Sequence, residues 1–346
     1  MLPRSTACYL RDMGAPARRR RHRSARARSL LFGIAVAAIV IWLAELGLRL
    51  GGVQPAYTAD AVGGWRVQPK SDGETIKTKE GNSFVLSTNA NGLRTHARTP
   101  RTAGVQRVII LGDSTVFGWG VSDGETFPDA LGRALGPSVE VINAGQPGYS
   151  TTQMVALYER SIAEFAPDLM VVFVPMHDDN RVLVSDREHL DGARGIAHVR
   201  VLLANHSRLY QLLRSRIFPF AGEAYLVPGR DRSPEPRVPR VSADERDENF
   251  DRLRAPVVAA GGKLAIGHLP FLADLTGEAH HERFSAPWAS RYGEATGTPI
   301  VDLRGCCAGK GGEALVLPAD PGHLNVKGNR VVGEAAAPLI AGLLGG

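Results

Sequence analysis

What most constrains this chain is an alternation. Five short apolar runs rich in β-branched residues, Arg107–Leu111, Val139–Asn143, Leu169–Val174, Lys263–His268 and Pro299–Leu303, are interleaved with segments of helical character. Thr126–Leu135 separates the first two runs and Thr151–Phe165 the next two, each with the apolar spacing of a helix packed on one face. Neighbouring parallel strands need a crossover, and a crossover helix covers a face of the sheet, so the alternation predicts an α/β fold with a mainly parallel sheet and helices on both sides. Right-handed crossovers then gather the loops at the carboxyl ends of the strands along one edge, where function is expected. With 44% hydrophobic and 22% charged residues among 346, the chain holds enough apolar material for one sizeable domain with appendages, which excludes disorder throughout.

The net charge of +6 points to nucleic acid only until it is located. Residues 1–28 carry nine arginines (Arg4, Arg11, Arg18, Arg19, Arg20, Arg21, Arg23, Arg26, Arg28) against Asp12, so this segment is +8 and the remainder is −2. No aromatic platform or folded nucleic-acid motif accompanies the cluster, and no nucleic-acid partner is expected. Directly after it, Leu30–Ala44 is apolar without a charge and continues as Glu45–Leu50; these 21 residues reach about 31 Å as a helix, close to the thickness of a bilayer's hydrocarbon core. Basic flanks resist translocation, which predicts a single pass of the cytoplasmic membrane, the N-terminus cytoplasmic and the body periplasmic or extracellular. Glu45 and Arg49 then fall near the outer interface, where long side chains snorkel. A cleaved signal peptide has the same basic-then-apolar form, but no convincing small-x-small cleavage site follows the core.

The chain therefore divides into a basic tail (1–29), an anchor helix (30–50), a juxtamembrane stem packed on the main domain (51–105) and the main domain itself (106–346). The stem is polar and turn-rich, marked by Gly63-Gly64-Trp65 and Asn89-Ala-Asn-Gly-Leu-Arg94. Inside the main domain, an amphipathic helix at Val199–Phe218 and an aperiodic Pro/Arg/Asp-rich linker at Pro228–Pro239 form an insertion around 199–240, either a lid or a decorated crossover. Ser242-Ala-Asp-Glu245 has the form of a capping box that opens a helix through about Ala260. Cys8, Cys306 and Cys307 make no disulfide framework, and the adjacent pair is poorly spaced for a bridge, so buried or incidental thiols are expected.

The first run, Val108-Ile-Ile-Leu111, leads straight into Gly112-Asp113-Ser114. A hydroxyl at a strand's carboxyl end, followed by a helix, sits near that helix's N-terminal dipole, where an oxyanion is favoured; alone, a serine there is more often a helix cap. Near the other end stands Asp320-Pro-Gly-His323. Serine is a poor nucleophile unless a neutral imidazole takes its proton, and that imidazole needs an acceptor to fix its tautomer. An Asp and a His three residues apart can both project from one loop toward the serine, although a turn with an Asx bond fits the pair too.

Taken in order, these blocks resemble the SGNH/GDSL serine hydrolases. Gly112-Asp-Ser-Thr-Val-Phe-Gly-Trp-Gly120 is similar to the family's first block, Asn143-Ala-Gly-Gln-Pro-Gly148 to its second and Asp320-Pro-Gly-His-Leu-Asn325 to its last, the likeness running from about Arg107 to Leu339. The basic tail, single anchor and stem resemble the membrane-tethered bacterial branch. The resemblance implies a flavodoxin-like three-layer α/β/α fold and cleavage of carboxylic esters, often acetyl groups on glycans, through an acyl-enzyme and without a cofactor. It makes Ser114 the nucleophile, His323 its base and Asp320 the residue that orients His323, with the backbone N–H groups of Ser114 and Gly148 forming the oxyanion hole. One block departs. Where the family reads Gly-x-Asn-Asp, with the Asn amide as a further oxyanion donor, this chain has Pro175-Met-His177-Asp178-Asp179-Asn180. Either the His177 ring N–H donates, or Asn180 reaches in, or the site is weakened.

The expected substrate is an acylated small molecule or glycan. An acyl transferase with the same triad differs only in which hydroxyl accepts the acyl group, and a degenerate glycan-binding envelope protein is the reading in which the altered block has cost activity. No metal is expected: His280-His281-Glu282, and His189 with Asp186, lack a fixed ligand spacing. Phe117, Trp119 and Phe127 read as core or pocket wall.

Overall fold

The computed structural model describes residues 15–51, 57–60, 64–67, 69–78, 80–95, 102–182, 184–192, 202–203, 206–217, 238–270 and 285–345. A helix, Ala15–Leu50, comes first. Two small antiparallel ladders follow, β1 (Tyr57–Asp60) with β2 (Gly64–Val67) and β3 (Glu74–Lys77) with β4 (Ser83–Leu86). The expected runs then appear as β5 (Gln106–Gly112), β6 (Val139–Gly145), β7 (Leu169–Phe173), β10 (Lys263–His268) and β11 (Ile300–Asp302), after the short pair β8 (Arg181–Val182) and β9 (Val238–Pro239) has formed between β7 and β10. They lie in the order β11-β10-β7-β5-β6, with every neighbouring pair parallel. Counting only these strands, the order is 2-1-3-4-5, the flavodoxin-like arrangement, whose switch of direction falls between β5 and β7. A crevice at the carboxyl ends of those two strands is the natural binding position.

Side chains alternate across a strand, and here both faces are apolar. Ile109 and Leu111 point into a layer containing Met154, Phe250, Leu253, Trp288 and Tyr292, from the helices Thr151–Leu157, Ala243–Ala259 and Ser285–Thr296. Val108 and Ile110 point the other way, onto Phe127, Leu131, Val332, Ala336 and Ile340 of the helices Phe127–Leu135 and Val326–Gly345. Three layers result, and burial on both faces explains why the strands read as continuous apolar runs rather than as alternating ones.

Three of these helices begin in capping boxes, Thr126 with Asp129, Ser150 with Gln153 and Ser242 with Glu245, each pair satisfying first-turn N–H groups that no helical carbonyl can reach. The helix expected over Thr151–Phe165 is α-helical only to Leu157; it widens into a π turn at Tyr158–Ile162 and tightens to a 3-10 turn at Ala163–Phe165. Pro167 closes it off: the residue before a proline avoids the right-handed helical region, and Ala166 adopts φ +42° instead. Of the helix expected over Val199–Phe218, Leu202, Leu203, His206 and Arg208–Ile217 are described and helical, and its remaining ends, like most of the Pro228–Pro239 linker, lie outside the described residues. Cys8 and His280-His281-Glu282 lie outside them as well.

The N-terminal helix contains one segment, Arg28–Leu50, of 23 residues and mean hydropathy 2.3, long and apolar enough to cross a membrane and with none of its apolar window buried. The stem behaves differently. Val67, Phe84 and Leu86 are buried against Phe117 of the main domain, with Trp119 edge-on to Phe84 at 5.4 Å.

Candidate active site

The site starts at the end of β5. A Cβ on Gly112 would sit 2.2 Å from Val116 Cγ2, and one on Gly145, at the end of β6, would sit 2.2 Å from Phe117 N. Only glycine at both places lets the short helix Ser114–Phe117 settle onto the two strand ends. Asp113 caps that helix, its carboxylate accepting from Thr115 N at 3.0 Å, so Ser114 is its first residue and emerges at the switch point. Buried Asn143 locks the same turn from below: its amide donates to Phe117 O at 3.3 Å while its carbonyl accepts from Gly145 N at 3.0 Å.

Opposite lies a hairpin of β12 (Val316–Leu317) and β13 (Asp320–Leu324). His323 Nε2 is 2.8 Å from Ser114 Oγ, and His323 Nδ1 is 2.7 Å from Asp320 Oδ2. The bond to His323 holds the Asp320 carboxyl below the usual carboxylate range, so it is ionised and can only accept. Nδ1 must then carry the ring proton, leaving the Nε2 lone pair facing the serine hydroxyl. The pair was expected on a loop; it stands on the edge strand of the hairpin, whose register shifts between Val316 and Leu317.

His177 lies in a 3-10 turn, Met176–Asp179, after β7. Its Nε2 is 3.9 Å from Asp113 Oδ2 and its Nδ1 is 3.3 Å from Asn180 Nδ2. Burial lowers its pKa, with the neighbouring charges of Arg240 and His323 acting in the same direction against Asp113 and Asp186, so the ring is neutral at neutral pH. An amide nitrogen can only donate to it, which makes Nδ1 the acceptor and puts the ring proton on Nε2, the side facing the Asp113–Ser114 turn. The structure thus brings both expected residues of the third block together: His177 faces the nucleophile turn and Asn180 backs it.

Buried arginines fasten these loops. Arg240, fully buried, directs Nε at both oxygens of Asp186 (2.8 Å each), Nη1 at the carbonyl of Gly148 (2.8 Å) and Nη2 at Gln153 Oε1, while Ser150 Oγ donates to Asp186 from the other side. Gly148, with φ +76°, is therefore held through its own carbonyl. Asp178, fully buried, accepts from Thr151 N at 2.9 Å, Thr151 Oγ1 at 2.8 Å and Arg246 Nε at 3.0 Å; burial pushes its carboxyl up against the pull of these partners. Arg246 also reaches Asp179 at 2.6 Å and lies over the Trp288 ring at 5.5 Å. From the stem, Arg94 donates to Asp123 and to the carbonyls of Phe117, Gly118, Val85 and Val121.

The sequence reading singled out none of Asn143, Asp178, Arg240 or Arg246 for a role in holding the site, and noted Arg94 only as the end of a turn motif. An arginine closing a charge-rich linker, as Arg240 does, carries no sign of its burial. Phe117 and Phe127 are core residues. Asp186 accepts from Arg240 and Ser150, and among the described residues no group of three or more His, Cys, Asp or Glu is arranged to hold a metal. The Cys306 and Cys307 sulfurs are 3.4 Å apart as free thiols.

A family model, that of the GDSL-like lipase/acylhydrolase family, matches residues 110–331, which include Ser114, Gly148, His177, Asp320 and His323. The chain belongs to this family. It is thereby a carboxylic ester hydrolase of the SGNH/GDSL superfamily. Solved structures similar to this hydrolase include an inhibitor-bound aryl esterase of M. smegmatis (15% identity, TM-score 0.41, covering 69% of this chain and 100% of that one). A carbohydrate acetylesterase from Sinorhizobium meliloti (13%, 0.41, 69% and 99%) and an acetyl xylan esterase (14%, 0.43, 68% and 99%) are also similar. Likeness at this level carries no argument about substrate. No curated protein sequence matches the chain.

Proposed function

We propose that this hydrolase cleaves O-acetyl or other short acyl esters, on small molecules or envelope glycans, by a Ser-His-Asp acyl-enzyme mechanism at the outer face of the membrane that anchors it. One observation carries the reading: the continuous hydrogen-bond chain Asp320–His323–Ser114 at the switch point of the sheet. Ser114 Oγ attacks the ester carbonyl as His323 Nε2 takes its proton; the ring returns that proton to the leaving alcohol, and a water activated the same way releases the acid. Asp320, ionised, fixes the tautomer and stabilises the imidazolium that forms. The oxyanion is assigned to the backbone N–H groups of Ser114 and Gly148 and to the Nε2–H of His177, all neutral donors that need no reorganisation as the charge develops.

The span Arg28–Leu50 and the arginine-rich tail before it support the anchored orientation, N-terminus inside and active site outside. The test is a fluorophosphonate probe on the full chain in detergent, followed by turnover of a series of p-nitrophenyl esters of increasing acyl length and of acetylated polysaccharides. Labelling of Ser114 and turnover that falls with acyl length are expected. A chain whose Ser114 resists the probe refutes the nucleophile, and a preference for long acyl chains refutes the short-acyl assignment.

A further inference from the structure

Gln146 follows β6 directly, two residues before Gly148, and is buried. Its backbone ties the two catalytic loops together. The N–H donates to Gly112 O, two residues before Ser114, at 3.0 Å, and the carbonyl accepts from Tyr149 N at 3.2 Å, closing a four-residue turn around Pro147 and Gly148. Proline second and φ +76° third have the form of a type II turn, whose third position asks for glycine. The side chain bonds to a different part of the chain: Oε1 accepts from Val67 N at 3.0 Å and Nε2 donates to Gly92 O at 3.0 Å, both on the segment before the sheet. A buried N–H or C=O left unpaired is costly, and one primary amide supplies the acceptor and the donor that these two groups need.

The partners are fixed in turn. At Gly92, φ +74°, a Cβ would lie 2.6 Å from Val67 O, so only glycine lets the two backbones come close enough for one amide to span them. Asn89 folds the turn that contains Gly92, its Oδ1 accepting from Asn91 N at 2.9 Å and Leu93 N at 3.0 Å. Leu93, fully buried, packs in the core layer that holds Leu111 and Tyr149, and Arg94 donates to Phe117 O and Gly118 O at the end of the nucleophile helix. Three consecutive residues thus reach both loops: Gly92 touches the second through Gln146, and Arg94 touches the first. All three precede residues 110–331, the stretch that matches the family model.

Resting on the assignment of the Gly148 N–H to the oxyanion, we infer that Gln146 is a positioning residue, which holds Gly148 in register with Ser114 against a mould formed by Val67 and the Asn89–Arg94 turn. The N–H groups of Ser114 and Gly148 must converge on one oxygen, and a displacement of about 1 Å at a reacting site can cost on the order of 100-fold in rate. The Gln146 amide is committed to Val67 and Gly92, so it acts on the reaction only through Gly148.

The test compares the full native chain in detergent with two variants. Gln146→Met keeps the length of the side chain and removes both bonds; Gln146→Glu keeps the acceptor for Val67 N and sets an oxygen against Gly92 O. Each form is assayed on p-nitrophenyl acetate over a range of pH, with kcat expressed per site labelled to completion by a fluorophosphonate. Hydrogen–deuterium exchange is followed in peptides covering 87–95 and 143–150 and, as a control for the whole fold, 263–268. Both variants are expected to lose about tenfold in kcat per labelled site, less than the roughly 100-fold lost when an oxyanion donor is removed outright. KM and the pH midpoint set by His323 should stay where they are in the native chain. Exchange should quicken in 87–95 and 143–150 together and stay unchanged in 263–268. Quickened exchange in those two segments with kcat unchanged overturns the positioning role, because the clamp then serves stability alone. Unchanged exchange in Gln146→Met overturns the clamp itself. A shifted pH midpoint moves the effect to His323 and overturns the role, as does quickened exchange at 263–268 in both variants, which makes Gln146 a support of the whole fold. A native chain that neither labels at Ser114 nor turns over the ester refutes the hydrolytic reading beneath the inference, and the native measurement alone tells that failure from the others.

Discussion

Arg240 is the residue whose removal is most informative, because it joins stability to chemistry at one buried point. Arg240→Met leaves Asp186, 3% exposed, with Ser150 as a bond donor and no guanidinium, and strips the donor from the Gly148 carbonyl. Breaking one partner of a buried ion pair costs about 3–5 kcal/mol, since the remaining charge stays desolvated, whereas replacing both partners by apolar residues is often close to neutral. The single variant should therefore lose a large share of a typical domain stability of about 5–15 kcal/mol yet remain folded at ambient temperature. Arg240→Met/Asp186→Leu should recover most of that loss, giving a coupling of several kcal/mol in a urea-unfolding cycle. The double variant is the one to assay. Its fold is restored, but Gly148 still lacks its tether, so kcat is expected to fall by up to about 100-fold, the lower end of what losing one oxyanion donor costs. Additive stability losses would show that the pair is not coupled, and full activity in the recovered double variant would show that Gly148 needs no holding from Arg240.

Ser114→Ala and His323→Ala should each lower turnover by several orders of magnitude, and the double variant should be little worse than either; losses that multiply in a kcat/KM comparison would rule out a shared triad. His177→Ala should cost about 3 kcal/mol in the barrier, while His177→Asn should keep or raise activity. Asn180→Ala should cost less than His177→Ala and nothing further in the His177→Asn background; a crippled Asn180→Ala beside a fully active His177→Ala would make Asn180 the donor. His268, 7% exposed, has its pKa lowered to about 4, chiefly by burial, from a free value of about 6.5. A depressed folded pKa means that the unfolded chain binds the proton first, so this contribution is complete above about pH 6.5 and is lost as pH falls toward 4, amounting to about 3 kcal/mol. Urea midpoints at both ends of that window should converge in His268→Gln, and an unchanged acid slope would refute the assignment.

The fold was legible because its signal is periodic and repeated. Each strand run is apolar on both faces and each intervening segment has helical spacing, and Ser242 with Glu245 announced a helix start at the right residue. That Ser114, Asp320 and His323 meet was legible for a different reason, these residue types being rare enough in that order to stand out. The supports of the site were not. Asn143 looks like a strand residue, and its bond to Phe117 O depends on how deeply the Ser114–Phe117 turn sinks onto β6. Asp178 and Arg246 pair across a separation of 68 residues, a distance over which a single sequence gives no sign of contact. Glu45 follows an uncharged apolar run, and besides Arg49 it bonds to Ser207, Arg208 and Leu209, 162 to 164 residues away.

These supports share a physical logic. Loops at the carboxyl ends of parallel strands have left the ladder, so their carbonyls face inward with no strand to pair them, and an unpaired buried carbonyl is costly. A guanidinium offers five N–H donors in a rigid plane, more than any other side chain. Arg94 spends one on Asp123, two on Phe117 O and Gly118 O and two on Val85 O and Val121 O, using its full complement. Arg240 does comparable work for the Gly148 loop and Arg246 for the third block, and each of the three carries a carboxylate partner that offsets its charge. A lysine, with three donors around one point, cannot replace Arg94 without leaving carbonyls orphaned. Arg94 lies before the sheet, Arg240 just after β9 and Arg246 in the helix that follows, so three separate segments converge on the loops that carry Ser114, Gly148 and His177. That convergence ties residues 80–95 and 238–246 to the positions of those loops, so a change at any of the three arginines is expected to be felt at Ser114, Gly148 or His177.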